Sequence, residues 1–520
     1  MSVETPVLPD PYIPGSGTPD FTVGHYDLQL EVKLAANRIA GKARLDGTVL
    51  RPAKRIELDL HELSVSKVTA ASEGRTVKVA KSAARRGRLV VDLATRLDAG
   101  APLTLEVTYA GVPKMLDGPW GEIGWEELDD GVLVAGQPNG AATWFPCVDH
   151  PSVKSTYHFT VATDAGYLPV CNGLPTGHRR RSSREEWTWE LRDPAPTYLV
   201  TLQIGRYQLV AVPEHPTGRH RATGPFRQRV RGLVQDLLPG TDGDWRPGHA
   251  PESGDGQEDQ GRYEDEGQRE GEGHDEMGLA GVADHEPAPV FLAVSPALQD
   301  RALEALGRQT EMMACFSWHF GPYPFDRYTA VVTDDVLEIP LEAASLSIFG
   351  ANHLTGSWAA ERLVAHELAH QWFGNALTLR RWQDIWLHEG FACYSEWLWG
   401  AESGHGTLTS LARTAWRGLA LKAKDLVVAD PGPELMFDDR IYKRGALTLF
   451  ALNRAVGDEV FTELIRSWVA EHRHSSVDTG MFLDHADRQA EAAGHPAGHA
   501  RAVMRPWLCE SALPAFPTSR

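Results

Sequence analysis

His366-Glu367-Leu368-Ala369-His370 sets two imidazoles four positions apart, with a carboxylate directly after the first. Residues four apart share one face of a helix, so both rings can grip a single metal ion. Glu367 then stands where it can take a proton from metal-bound water. The flanks Arg362-Leu363-Val364-Ala365 and Gln371-Trp372-Phe373 contain neither Gly nor Pro, which predicts a helix through the motif. Much of the chain is best understood as a housing for this helix.

A catalytic zinc site needs three protein ligands and one open position. Glu389 follows His370 after eighteen intervening residues. That spacing predicts a first helix ending near Gly374-Asn375, a loop, and a second helix that returns a carboxylate to the metal. His388 is a rival third ligand, but neighbouring helical residues diverge by about 100°, so a helix aims only one of the pair at the ion. A metzincin would need Gly at 373 and His at 376; Phe373 and Ala376 exclude that class. The bare motif also fits an amphipathic helix with two surface histidines. Glu389 at this spacing argues against it.

HELAHQWFGNALT followed by WLHEGFA resembles the aminopeptidase N family of zinc metallopeptidases, gluzincins whose third ligand is a glutamate. The family has Asn where this chain has His388. Gly136-Gln137-Pro138-Asn139-Gly140, leading into Thr143-Trp144-Phe145-Pro146-Cys147, resembles the segment whose Gln reaches from the N-terminal domain into the active site; Gln137 is the match. Leu337 to Ala343 stands where the family carries Gly-x-Met-Glu-Asn, so Glu342 matches its Glu, 24 positions before His366. Ile339 and Ala343 replace the Gly and Asn, and Glu338 is the competing carboxylate. Tyr442, in Tyr442-Lys443-Arg444-Gly445, matches a Tyr that assists catalysis.

The resemblance implies one Zn2+ per chain, held by His366, His370 and Glu389. It makes Glu367 the general base, Tyr442 a donor to the oxyanion, and Glu342 with Gln137 the binders of the substrate's α-amine. The expected reaction is hydrolysis of the N-terminal bond of peptides with a free N-terminus, by attack of zinc-activated water. An endopeptidase or a leukotriene-hydrolase-like epoxide hydrolase could use the same site, and a catalytically inactive binding scaffold is a further alternative. Larger relatives continue with a roofing helical domain. This chain ends soon after Pro517, which suggests the short, bacterial-type form without it.

The net charge of −19 looks like a statement about partners, yet most of it is local. Residues 241–290 hold 15 acidic and 3 basic residues, so this stretch alone carries −12. No basic stripe supports nucleic-acid binding. No apolar run approaches a membrane span, and the start MSVETPVLPDPYIPGSG lacks the basic and apolar regions of a signal peptide. Five scattered cysteines without a C-x-x-C pair indicate neither a disulfide framework nor a thiolate metal site, and a cytoplasmic location is expected. Cys393 reads as a buried structural thiol.

Along the chain, Tyr26, Leu28, Leu30, Val32 and Leu34 alternate with polar residues, as do Leu103, Leu105, Val107 and Tyr109, and Trp187, Trp189 and Leu191. Period two predicts half-buried strands, and many short strands with Gly/Pro punctuation predict a sandwich. His178 to Arg184 is a basic run expected at a hairpin tip. Pro239 to Pro289 has almost no large aliphatic residues and reads as disordered. Strand structure is expected again at Val290 to Val294 and Tyr328 to Val332, with one long helix from Pro296 to Phe320. The expected architecture is therefore multidomain. Residues 1–20 form an extended, poorly ordered arm, and 21–206 an antiparallel β-sandwich. Residues 207–520 form a thermolysin-like α+β zinc peptidase domain interrupted by the acidic insertion at 239–289.

Overall fold

The strand Phe21–Lys33 buries Tyr26, Leu28, Leu30 and Val32, as its alternation predicts, and stops before Leu34, which opens a short 3-10 turn. It lies inside an eight-stranded sheet of the computed structural model, which describes residues 9–213 and 288–518. From one edge to the other the order is Leu174–Arg181, Arg184–Pro196, Lys154–Asp164, Phe21–Lys33, Arg38–Val49, Pro102–Gly111, Ser64–Ser72 and Arg75–Val77. The alternating stretch Leu103 to Tyr109 and the pair Trp187 and Trp189 bury the same way. The basic run closes the hairpin at Ser182-Ser183, with Arg181 opposite Arg184. Further sheets of five and three strands complete this N-terminal part.

Purely antiparallel pairing needs one correction. Phe21–Lys33 runs parallel to Lys154–Asp164, from His25 opposite Thr156 to Glu31 opposite Ala162. A tight hairpin can join only antiparallel strands, whereas more than a hundred residues separate this pair and leave the direction free.

After Leu202–Gly205, the last strand of the five-stranded N-terminal sheet, the chain enters a second five-stranded sheet. Its order is Gln208–Ala211, Val290–Val294, Tyr328–Thr333, Leu346–Gly350 and Leu341–Ala343. Val290–Val294 and Tyr328–Thr333 are buried along their whole length, as expected of central, mostly parallel strands covered on both faces. The strands that flank residues 214–287 pair with each other. The disorder expected for 239–289 falls, but for residues 288 and 289, outside the described residues. Helices then dominate from Trp358 to Cys509.

Two further expectations are corrected. Pro296 to Phe320 is not one helix but two, Gln299–Leu306 and Gln309–Phe320. Gly307 has poor helix propensity, and a fresh helix starts from Arg308, whose carbonyl accepts from Glu311 and Met312. The N-terminal arm is not loose from residue 10 onward. Asp10 accepts hydrogen bonds from the amides of Trp382 (2.7 Å) and Tyr12 (2.8 Å). The Tyr12 hydroxyl donates to Asp430 and accepts from the Gly432 amide at 2.8 Å. Gly17 donates to Asp59 at 2.9 Å. The arm is a turn-rich strap, because its polar groups find hydrogen-bond partners on both parts of the protein.

Candidate active site

The motif helix, Trp358–Ala369, is capped by Ser357, whose hydroxyl accepts from the Ala360 amide at 3.3 Å. It stops at Ala369, earlier than the predicted Gly374. Gln371 and Trp372 make tight i→i−3 bonds to Leu368 and Ala369, and Asn375, Ala376 and Leu377 then bond five residues back. Gly374, at φ +126, completes the stop. The second helix, Trp386–Glu402, brings Glu389 back in its first turn.

His366, His370 and Glu389 converge. Glu389 Oε2 lies 3.3 Å from His366 Nε2 and 3.5 Å from His370 Nε2. Each imidazole is turned by its other nitrogen: His366 Nδ1 meets Glu396 Oε1 at 2.7 Å, and His370 Nδ1 meets the Phe373 carbonyl at 3.0 Å. Both Nε2 atoms are thereby freed toward one point. Three ligands at ~2.0–2.1 Å around a tetrahedral zinc stand about 3.3–3.4 Å apart, so this N2O donor set fits a catalytic zinc ion. Glu342, Glu367 and His370 form a second group of that kind. His370 has a single uncommitted nitrogen, so the two groups share one ion position.

The electrostatics of the group follow from burial and from the charges packed around it. Burial alone would lower both imidazoles. Hydrogen bonds that Glu389 and Glu396 accept raise His366 to about 9, and the charges of Glu342 and Glu389 raise His370 to about 10. Burial would raise Glu389, but the two histidines hold it well below the usual carboxylate range. Burial lifts Glu367 to about 8, Glu342 adding to the rise while the histidines oppose it. Glu367 is 4% exposed, and its Oε2 has no hydrogen-bond partner.

His388 does not join the metal group. Its buried ring lies against Gly374 with neither nitrogen hydrogen-bonded, and burial, then His370, pushes it down to about 3. Glu342 sits half-buried on the edge strand Leu341–Ala343 with its Oε1 enclosed and unpartnered, while Glu338 is exposed in the preceding loop. Burial raises Glu342, with His370 opposing. Tyr442, on the helix Asp439–Val456, stacks on His366 with ring centroids 5.9 Å apart. Burial and then the charges of Glu389, Glu342 and Glu367 raise its hydroxyl far above the ordinary range, so it keeps its proton. Gln137 follows the strand Gly131–Ala135, half-buried, with Nε2 enclosed and unpartnered; no hydrogen bond ties it to the other six. Cys393 is buried, which pushes its thiol up to about 12.

Sequence reasoning missed Glu396, although it follows Glu389 by seven residues, two turns on one face. It also missed Tyr198, a buried side chain of the N-terminal part. The charges of Glu342 and Glu389 add to the effect of burial in raising its hydroxyl, which donates to the Gly374 carbonyl at 3.4 Å. No local pattern announces that residue.

Residues 23–199 match the peptidase M1 N-terminal domain, and residues 304–507 the peptidase family M1 domain. Aminopeptidase Ey of Gallus gallus is 24% identical over 71% of this chain and 34% of its own length. Tricorn protease-interacting factor F2 of Thermoplasma volcanium is 22% identical over 75% of this chain and 42% of its own. The chain thus spans between about a third and two fifths of these curated relatives. The crystal structure of the M1 zinc metallopeptidase from Deinococcus radiodurans superposes with a TM-score of 0.76 at 26% identity, covering 98% of this chain and 99% of that one. A mutant of that enzyme bound to a Tyr-Ser-Ala substrate gives 0.77. With the N-terminal and catalytic matches side by side on this fold, the chain belongs to peptidase family M1.

Proposed function

We propose that this protein is a zinc-dependent aminopeptidase that removes the first residue of peptides with a free N-terminus. The observation that carries the reading is the convergence of His366, His370 and Glu389 beside two carboxylates, Glu367 and Glu342, that each keep an unpartnered oxygen. His366, His370 and Glu389 would hold one zinc ion per chain. When bound, that ion supplies a Lewis acid and lowers the pKa of a water to about 7. Glu367 accepts the proton of the attacking water and hands it to the leaving amine. Tyr442 donates to the oxyanion as it develops, where such a bond is strongest in the transition state. Glu342, with Gln137, binds the α-amine of the substrate.

In this reading residues 21–206 form the N-terminal domain, which contributes Gln137, and 207–520 the catalytic domain. No helix among the described residues is long and apolar enough to cross a membrane, and the described cysteines are all free. We place the enzyme in the cytoplasm, acting on peptides without a nucleic-acid or membrane partner. A panel of aminoacyl chromogenic amides, with and without chelator, tests the activity. Chelator-sensitive release is expected; no turnover of any amide by zinc-loaded protein would leave a binding scaffold.

A further inference from the structure

The turn joining the strands Leu341–Ala343 and Leu346–Gly350 is gripped by three side-chain amides from outside its sheet. Gln371 Nε2 donates to the carbonyls of Ala343 (3.1 Å) and Leu346 (3.3 Å), while its Oε1 accepts from the Ser345 amide (2.9 Å). Asn375 Nδ2 donates to the same Ala343 carbonyl at 2.8 Å. From the N-terminal part, Asn172 Nδ2 donates to Ala344 O (2.7 Å) and Leu199 O (2.9 Å), and its Oδ1 accepts from Thr201 N (2.7 Å). All three side chains are fully buried. Two main-chain bonds, Ala344 N to Leu199 O and Thr329 N to Ser345 O, complete the enclosure. Ser345 stands at φ +66, a conformation that a residue other than glycine holds at a cost when its surroundings determine it.

These contacts fix a distance. Glu342 immediately precedes Ala343, whose carbonyl is bound twice, and Gln371 immediately follows His370. One side chain, that of Gln371, therefore ties the strand end beside the amine-binding carboxylate to the segment that holds the metal ligands, and Asn375 braces it. An enzyme that cuts after one residue depends on that span, because reacting groups displaced by about 1 Å lose much of their rate. We infer that Gln371 and Asn375 are positioning residues for Glu342. They set how far the substrate's amine sits from the bond to be cut, and Asn172 braces the same turn from the N-terminal sheet. The inference rests on the proposed reading of Glu342 as the amine anchor.

The test compares kcat and KM for a dipeptide amide and its N-acetylated form, with zinc per chain measured alongside. Gln371→Met keeps the side chain's length and removes every hydrogen bond it makes; Asn375→Ala removes only the second donor to Ala343. Each variant should lower the preference for the free amine by about three- to tenfold, the effect of losing a neutral hydrogen bond. The loss should fall on the free-amine substrate alone, with the acetylated rate and zinc stoichiometry held. If Gln371→Met does not fold, Asn375→Ala and Asn172→Ala decide. A preference kept in these folded, zinc-loaded variants overturns the inference, whatever their overall activity. Absence of any preference in the native enzyme would instead overturn the amine-anchor reading, and this inference with it.

Discussion

Glu396 Oε1 lies 2.7 Å from His366 Nδ1, and the other oxygen of the same carboxylate pairs with Arg362. Glu396 is 3% exposed. Burial would raise its pKa, but the hydrogen bond and charge of His366, helped by Lys443 and Arg362, bring it down to about 2. An ionised acceptor at Nδ1 fixes the tautomer that leaves Nε2 open and makes that nitrogen a better ligand. One helix therefore supplies both Glu389 and the residue that aims His366.

Glu396→Ala should weaken zinc binding by roughly 10- to 100-fold, while Glu396→Gln, which keeps an acceptor in place, should lose less. Competition against a chromogenic chelator measures both. Unchanged affinity in the alanine variant would reduce Glu396 to a packing role.

The proposed base and the proposed third ligand are adjacent in function but separable by experiment. Glu367→Gln should abolish turnover while zinc still co-purifies, because its carboxylate is not needed to hold the ion. Glu389→Ala should lose both metal and activity. Loss of zinc from Glu367→Gln would make that carboxylate part of the metal's anchoring.

The two imidazoles give a pH dependence with a definite sign. In the metal-free protein His366 sits at about 9 and His370 at about 10, above an unfolded value of about 6.5. Their stabilisation is therefore whole below about pH 6.5 and is lost as pH rises through about 9 to 10. Zinc needs neutral imidazoles and releases these protons, so its binding strengthens over the same window. The gap in melting midpoint between zinc-loaded and chelator-stripped protein should widen from about pH 6 to about pH 9. Calorimetry at three pH values checks this, and a narrowing gap contradicts it.

The grouping of His366, His370 and Glu389 was legible because it depends on local periodicity: three residues between the histidines, and a loop long enough to return Glu389. The alternation at Tyr26 to Val32 was legible for the same reason. Contacts made at a distance were not. The parallel pairing of Phe21–Lys33 with Lys154–Asp164 depends on what lies between them. The early stop of the motif helix accompanies the capture of Gln371 by a turn some 25 residues back, which no helical propensity reveals. The strap at Asp10 found its partner at Trp382.

That strap has a measurable weight. Asp10 is 2% exposed and accepts two main-chain amides, one from Tyr12 of the arm itself and one from Trp382, 372 residues further on. Asp10→Ala should cost about 1.5–3 kcal/mol, the range for a hydrogen bond to a charged group. A lower urea midpoint with unchanged zinc content is the expected result; an unmoved midpoint would mean that the strap adds nothing.

Amine recognition separates an aminopeptidase from an endopeptidase on the same metal. The physical means is a carboxylate that meets a protonated amine, and Glu342 has the free, enclosed oxygen for it, whereas Glu338 is exposed. A charge-assisted bond of about 1.5–3 kcal/mol corresponds to roughly 10- to 100-fold in rate. N-acetylation of a good dipeptide amide should therefore lower kcat/KM by at least about tenfold on the same arithmetic. Glu342→Ala should weaken free-amine substrates by a similar factor and hardly touch acetylated ones, while Glu338→Ala should do neither. Equal cleavage of free and acetylated substrates by the native enzyme would sink the aminopeptidase reading. A loss at Glu338 with none at Glu342 would move the amine anchor out of the enclosed site and into the exposed loop before it.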